Sequence, residues 1–183
     1  IMAHRFGFSQ AIASLGTALT GDQARMIKRY AGRVIFLYDG DNAGQKAMRK
    51  GGDALLSAGL DTRVIELPTE DDPDTFLRRE GTDALKEKID SAREYFDFAI
   101  QVDTQDLDTA TLQGQTELVE RMAPLLLAMQ NDVQREVAIA RLLSRLGGLP
   151  REAIHRILQR KKKEEDRRQA RRERSDEEDE DED

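Results

Sequence analysis

Two pairs of aspartates carry the chemistry that this sequence advertises. Asp39 and Asp41 flank Gly40 in the stretch FLYDGDNAG, and Asp72 and Asp74 flank Pro73 in EDDPDT. Each pair has the two-residue spacing that puts side chains on one face of extended backbone. Gly40 lets the chain turn sharply, and Pro73 stiffens the second turn. Carboxylates brought together repel, and burying them unpaired is costly. A hard divalent cation removes that cost, and oxygen ligands of this kind suit Mg2+, with Mn2+ as a substitute. Such an ion commonly bridges to substrate phosphates, so the chemistry suggested is phosphoryl transfer. Taken singly, D-G-D also fits a plain turn and D-P-D a helix N-cap. Their recurrence at successive strand exits favours the metal reading.

The elements that must position these acids follow from periodicity. Arg33 to Tyr38 is a continuous apolar run, the pattern of a parallel strand covered on both faces, and Thr62 to Leu67 is a second strand. Between them Asn42 to Ala58 reads as a helix that Gly59 would close, with Gly51-Gly52 weakening its continuity. Upstream, Gly7 closes a first helical segment, Ala11 to Leu15 is a short strand candidate, and Gly16-Thr17 ends it. Thr20 with Gln23 has capping-box spacing, opening a helix with Ala24, Ile27 and Tyr30 on one face. Strands alternating with helices predict βαβ units, whose ligands bind at the carboxyl ends of the strands, where both aspartate pairs fall.

After about residue 90 strands are expected to stop. Segments 92–102, 112–130, 132–146 and 151–160 read as amphipathic helices, with Gly147-Gly148-Leu149-Pro150 as a break. The stripe Leu118, Met122, Leu125, Leu126 and Met129 is expected to be core. The expected organisation is an α/β domain over 1–90, a helical subdomain over 91–160 and a charged tail over 161–183.

Composition narrows the function classes. The 183 residues are 38% hydrophobic and 36% charged, so the core is lean. No apolar run approaches the ~20 residues that span a bilayer, and no secretory n- and h-region is visible. With no cysteine there is no disulfide framework, no cysteine zinc site and no thiol nucleophile, and a reducing cytoplasm is the default expectation. The net charge of -7 divides into 8 basic and 12 acidic residues over 161–183, against 21 and 24 in the body. Global charge therefore does not mark a nucleic-acid binder, although Lys46, Arg49 and Lys50 form a basic edge on one predicted helix. His4 and His155 stand alone, without partners for a triad or a zinc site. Ser14 and Thr17 flank a glycine in a loop suited to a simple turn or to phosphate contact. The tail has no apolar stripe and ends in eight acids, the composition of a disordered linker or a fraying charged helix. The opening Ile1-Met2-Ala3-His4 runs straight into a helical pattern, as expected of a sequence that begins inside a domain.

Three motifs together carry a family resemblance: S-L-G-T-A-L-T at 14–20, Y-D-G-D-x-A-G-x-x-A at 38–47 and L-P-x-x-x-D-P-D at 67–74. They resemble the later part of the TOPRIM domain of bacterial DnaG-type DNA primases. PLLLAMQNDVQREVAIARLLSRLGG at 124–148 is similar to the helical segment that follows it, so the resemblance covers roughly residues 1–160. It implies a partial TOPRIM fold, a Rossmann-like parallel sheet with flanking helices, followed by a small all-α subdomain. The implied activity is synthesis of short RNA primers from ribonucleoside triphosphates on single-stranded DNA, by metal-dependent nucleotidyl transfer at the replisome. Asp39 and Asp41 match the family's catalytic metal ligands, and Asp72 and Asp74 match its D-P-D acids. The family's E-G-Y-x-D motif is expected just before Ile1. A zinc-binding domain, the only place for zinc, and a basic template-contacting subdomain are expected further upstream, so the chain alone is expected to be inactive. A replicative helicase is an implied partner of the parent protein, with no helicase-binding domain recognised in this sequence; no membrane partner is implied. Two other readings stay open. One is another TOPRIM enzyme, a nuclease or a topoisomerase piece, although Tyr30, Tyr38 and Tyr95 include no well-placed nucleophile. The other is a non-catalytic module that binds a replication partner.

Overall fold

The computed structural model describes residues 2–13, 19–38, 42–68, 71–147 and 149–180. The chain forms two compact units, Ile1–Gln105 with Met129–Asn131, and Asp106–Ala128 with Asp132–Asp183. None of the described helices is long and apolar enough to cross a membrane.

The first unit is built on three strands in the order β1 (Arg33–Tyr38), β2 (Asp61–Glu66), β3 (Arg93–Glu94). β1 and β2 are parallel, in register from Arg33 opposite Asp61 to Tyr38 opposite Glu66. β3 corrects the expectation that strands end by residue 90: it pairs antiparallel to β2, Arg63 opposite Glu94, so the sheet is mixed. Two residues carry no periodicity, which is why the edge strand was not visible in the sequence.

Alternation along β1 sends side chains to two cores. Ile35 and Leu37 join Phe8, Ile65, Leu67, Phe76, Leu77, Leu85 and Ala92. The helices on that side are α1 (Met2–Arg5) and α4 (Pro73–Asp90). Val34 and Phe36 join Ala24, Leu55 and Leu60 beneath α2 (Gly21–Lys28) and α3 (Asn42–Ser57). This two-sided burial is what the unbroken apolar run required.

Local signals held where they were chemical. Thr20 caps α2 in a full capping box with Gln23. Gly7 and Gly59 take positive φ after α1 and α3. Tyr30 does not share the buried face of Ala24, because α2 stops at Lys28 and the ring lies in solvent. Ala11 to Ala13 are not strand, and the rest of that candidate lies outside the described residues, as do Ser14 and Thr17. Gly51-Gly52 does not interrupt α3. A Cβ on Gly52 would sit 2.0 Å from the ring of Tyr95 on α5 (Tyr95–Asp103), so the glycine lets the two helices approach.

The second unit packs α6 (Leu112–Ala128), α7 (Asp132–Leu146) and α8 (Arg151–Glu180) against one another. Leu118, Met122, Leu125 and Leu126 are buried, with Ala138, Ile139, Leu142, Ile154 and Leu158. Gln115 Nε2 donates to Leu146 O at 3.0 Å and Arg135 Nε to Leu126 O at 2.9 Å, satisfying carbonyls near the ends of α7 and α6. α8 continues as helix past Arg160 to Glu180, where a disordered tail was one expectation. Lys, Arg, Glu, Gln and Ala favour helix. Lys162 to Arg168 are nonetheless exposed, as a segment without an apolar stripe must be.

Candidate metal centre

Tyr38 pairs with Glu66, so β1 and β2 end side by side at one edge of the sheet. Asp39 and Asp41 lie outside the described residues. The turn leaving β2 is described at Leu67, Pro68 and from Asp71 onward, and its described residues include three acids in different states.

Asp71 is buried, and Arg79 grips it bidentately, Nη1 to Oδ1 at 2.8 Å and Nη2 to Oδ2 at 2.5 Å. Its backbone N–H donates to Pro68 O at 2.9 Å. Both carboxylate oxygens are thus engaged, and the residue anchors the turn. Sequence reasoning passed over it, since one acid in a run of acids carries no burial signal, and its partner lies eight residues along α4.

Asp72 is the N-cap of α4. Its Oδ1 accepts from Thr75 N at 2.7 Å, while Thr75 Oγ1 accepts from Asp72 N at 2.9 Å, and Pro73 occupies the first turn. The hydrogen bonds from the Thr75 backbone and then its hydroxyl hold the Asp72 carboxyl below the usual carboxylate range. It is therefore ionised at neutral pH, the form a metal ligand needs. Asp74 Oδ2 accepts from Arg78 Nε at 3.0 Å, whereas its Oδ1 is shielded from solvent with no hydrogen-bond partner. Such an orphaned oxygen is what a bound cation would satisfy. The described donors, one anionic cap and one orphan carboxylate oxygen, are of the kind a hard cation takes. Among the described residues, no three His, Cys, Asp or Glu side chains gather closely enough to hold an ion alone.

The basic edge behaves differently from the expectation. Arg49 is half-buried in a hub, donating through Nη2 and Nε to Asp103 at 2.9 and 3.3 Å, through Nη1 to Tyr95 Oη at 3.0 Å, and pairing with Asp53. The Tyr95 hydroxyl lies within hydrogen-bond reach of Arg49 O at 2.5 Å and Asp53 Oδ1 at 2.7 Å. Burial, then the Asp53 charge, pushes the Tyr95 hydroxyl far up. Burial also raises Asp53, against the opposing pull of Arg49. Arg49 itself stays charged: burial works against it, but Asp103, Tyr95 and Asp53 outweigh that cost. Only Lys46 and Lys50 of the predicted edge are exposed. His4 Nε2 lies 2.6 Å from Ala11 O, and His155 Nε2 lies 3.6 Å from Glu136 Oε1, both structural roles.

A family model described as Toprim-like matches residues 1–77, and one described as the DnaB-helicase binding domain of primase matches residues 96–151. The second match falls where the sequence reading recognised no helicase-binding segment, because apolar stripes on helices read as core and carry no chemical signature. The DNA primase of Clostridium acetobutylicum is 33% identical over 165 residues, covering 86% of this chain and 26% of that protein. The DNA primase of Escherichia coli K12 is 29% identical over 157 residues, covering 84% and 27%. The chain thus spans about a quarter of the length of these relatives. A crystal structure of a DNA primase domain from Pseudomonas aeruginosa superposes with a TM-score of 0.77 at 31% identity, covering 86% of this chain and 50% of that one. The structure of a DnaG primase catalytic domain bound to ssDNA gives 0.71 at 28% identity, covering 82% and 48%. Coverage of this extent cannot be confined to the first unit, so part of the helical unit also belongs to the shared fold.

Proposed function

Because the chain belongs to the bacterial DnaG-type primases, we propose that it supplies the metal-holding part of a catalytic core that makes short RNA primers on single-stranded DNA. The observation that carries this reading is the parallel register of β1 and β2, which end side by side. D-G-D follows Tyr38 directly in the chain, and D-P-D follows Glu66 after a short turn. Primases with a Toprim domain are metal-dependent, and here the ion is Mg2+, replaceable by Mn2+. Asp39 and Asp41 would hold it, with Asp74 Oδ1 and Asp72 completing the acidic rim. When bound, the ion supplies charge neutralisation at a transferring phosphoryl group. Of the described residues, Asp72 is kept ionised by its cap, and the Asp71–Arg79 pair fixes the turn that carries Asp72 and Asp74. Ribonucleoside triphosphates are the substrates and a cytoplasmic replisome the setting. A replicative helicase of the DnaB type is the partner, through the region matched at 96–151.

Titration with Mn2+ followed by water relaxation tests the site on this chain. Binding is expected to be weak and to fall at least tenfold in the Asp39→Asn/Asp41→Asn variant, and equal binding by that variant would sink the assignment. In the full-length protein, Asp41→Ala is expected to abolish primer synthesis while leaving template binding intact.

A further inference from the structure

Six large hydrophobic side chains are exposed among the described residues, and two of them, Met26 at 60% and Tyr30 at 86%, stand four apart at the end of α2. Tyr30 follows the C-cap, Arg29, and its backbone N–H still donates to Ile27 O at 2.9 Å, so the ring sits on an ordered turn. From Gly21 to Arg33 the chain carries Arg25, Lys28, Arg29 and Arg33 against Asp22 alone, a basic island in a molecule of net charge -7. Arg25 pairs with Asp22, and Arg33 Nε reaches Asp61 Oδ2 at 2.6 Å. Lys28 Nζ donates to Ala58 O, an uncharged acceptor, and lies over Gly59. Among the described residues, neither Lys28 nor Arg29 pairs with a carboxylate. Tyr30 thus exposes an aromatic ring with two cations unpaired by carboxylates just before it in the chain, the chemistry that stacks an unpaired base while holding its phosphates.

We propose that the Met26–Tyr30 face of α2, flanked by Lys28 and Arg29, is a contact site for single-stranded nucleic acid, with a base stacked on Tyr30 and phosphates held by the two cations. Charge complementarity argues for this occupant. An acidic protein would satisfy the cations but leave the Tyr30 face without a planar partner, and a duplex has no free base face to offer. The site deepens the primase reading, because a template is single-stranded, but it is carried by α2 alone and owes nothing to the aspartates.

The test is a fluorescence-anisotropy titration of labelled oligo-dT and oligo-U with this chain at several salt concentrations. Tyr30→Ser is expected to weaken binding roughly five- to a hundredfold, the range for losing one base–aromatic stack, while Tyr30→Phe keeps the affinity. Arg29→Ala is expected to lower the slope of log K against log salt by about 0.7, one phosphate on a single strand. A duplex of equal length should bind more weakly than either strand. Circular dichroism confirms folding, which an exposed substitution leaves unchanged. Binding by Tyr30→Ser equal to the unaltered chain overturns the proposal, as does an absence of binding at low salt or a preference for duplex. The Asp39→Asn/Asp41→Asn variant is expected to bind oligonucleotide normally, so a failed metal centre and a failed α2 site give different patterns.

Discussion

Two acidic clusters in the first unit share composition and differ in what saturates them. At the hub, Asp53 and Asp103 converge on one half-buried arginine, and the Tyr95 hydroxyl also reaches the Asp53 oxygen that Arg49 holds. At the turn after β2, Asp71 is gripped by Arg79, but Asp72 serves a helix cap and Asp74 keeps one oxygen orphaned. Carboxylates fully matched by a guanidinium are structural. A backbone cap at Asp72 and an arginine of the same helix at Asp74 leave an oxygen of Asp74 unshared, which is the state a cation recruits. Proximity of acids alone does not separate the two cases; the accounting of each oxygen does.

The sharpest way to break this comparison is Arg49→Ala, which removes the guanidinium that Asp53 and Asp103 share. Denaturant unfolding is expected to show a loss of about 3 kcal/mol, the lower end for a broken buried pair, because the Asp53 side chain is 37% exposed and partly screened. A loss below about 1 kcal/mol would make the hub no different from the turn. Gly52→Ala attacks the same hub by volume instead of charge. Its Cβ would meet Tyr95 at 2.0 Å, and the overpacking is expected to cost about 2 kcal/mol with no change in metal binding.

At the turn the expected signature is one of pH. The folded-state pKa of Asp72 is depressed by Thr75, so its capping contribution is complete above the unfolded carboxylate value of about 3.9 and is lost as pH falls through the lower folded value. Asp72→Asn is therefore expected to flatten the acid limb of the stability–pH curve below about pH 4 and to leave the curve near neutrality almost unmoved. An unchanged acid limb would show that the ionised cap contributes nothing to stability. The smallest effect is expected where charges have neither a buried arginine nor a cap. Deleting residues 161–183 removes the end of α8, of which Lys162 to Arg168 are exposed, and the melting temperature of the remainder is expected to stay within about 2 °C, since surface pairs such as Arg160 with Glu164 contribute little. A large drop would show that this extension packs on the body.

What could be read without coordinates was whatever depends on neighbours in the chain. The apolar run 33–38 announced a strand buried on both faces, Thr20 with Gln23 announced a cap, and the alternation of strands and helices announced a parallel pair with both D-x-D motifs at its exits. The Leu and Met stripe of α6 declared itself by helical period. These signals are local because backbone hydrogen bonds, turn sterics and amphipathic period act over a few residues.

The tertiary structure decided the rest, because it concerns partners that the chain brings from far away. Arg49 looked like a basic edge until α5 delivered Asp103 and Tyr95 to it. Gly52 looked like a helix breaker until the Tyr95 ring showed what its missing Cβ makes room for. Asp71 and Asp74 were equal members of an acidic run, and only packing buried one against Arg79 and left the other with an unshared oxygen. Spacing puts Tyr30 on one helical face with Ala24 and Ile27, and its exposure is a consequence of α2 stopping at Lys28. Burial and pairing belong to the folded surface as a whole, and no window of the sequence contains the groups that determine them.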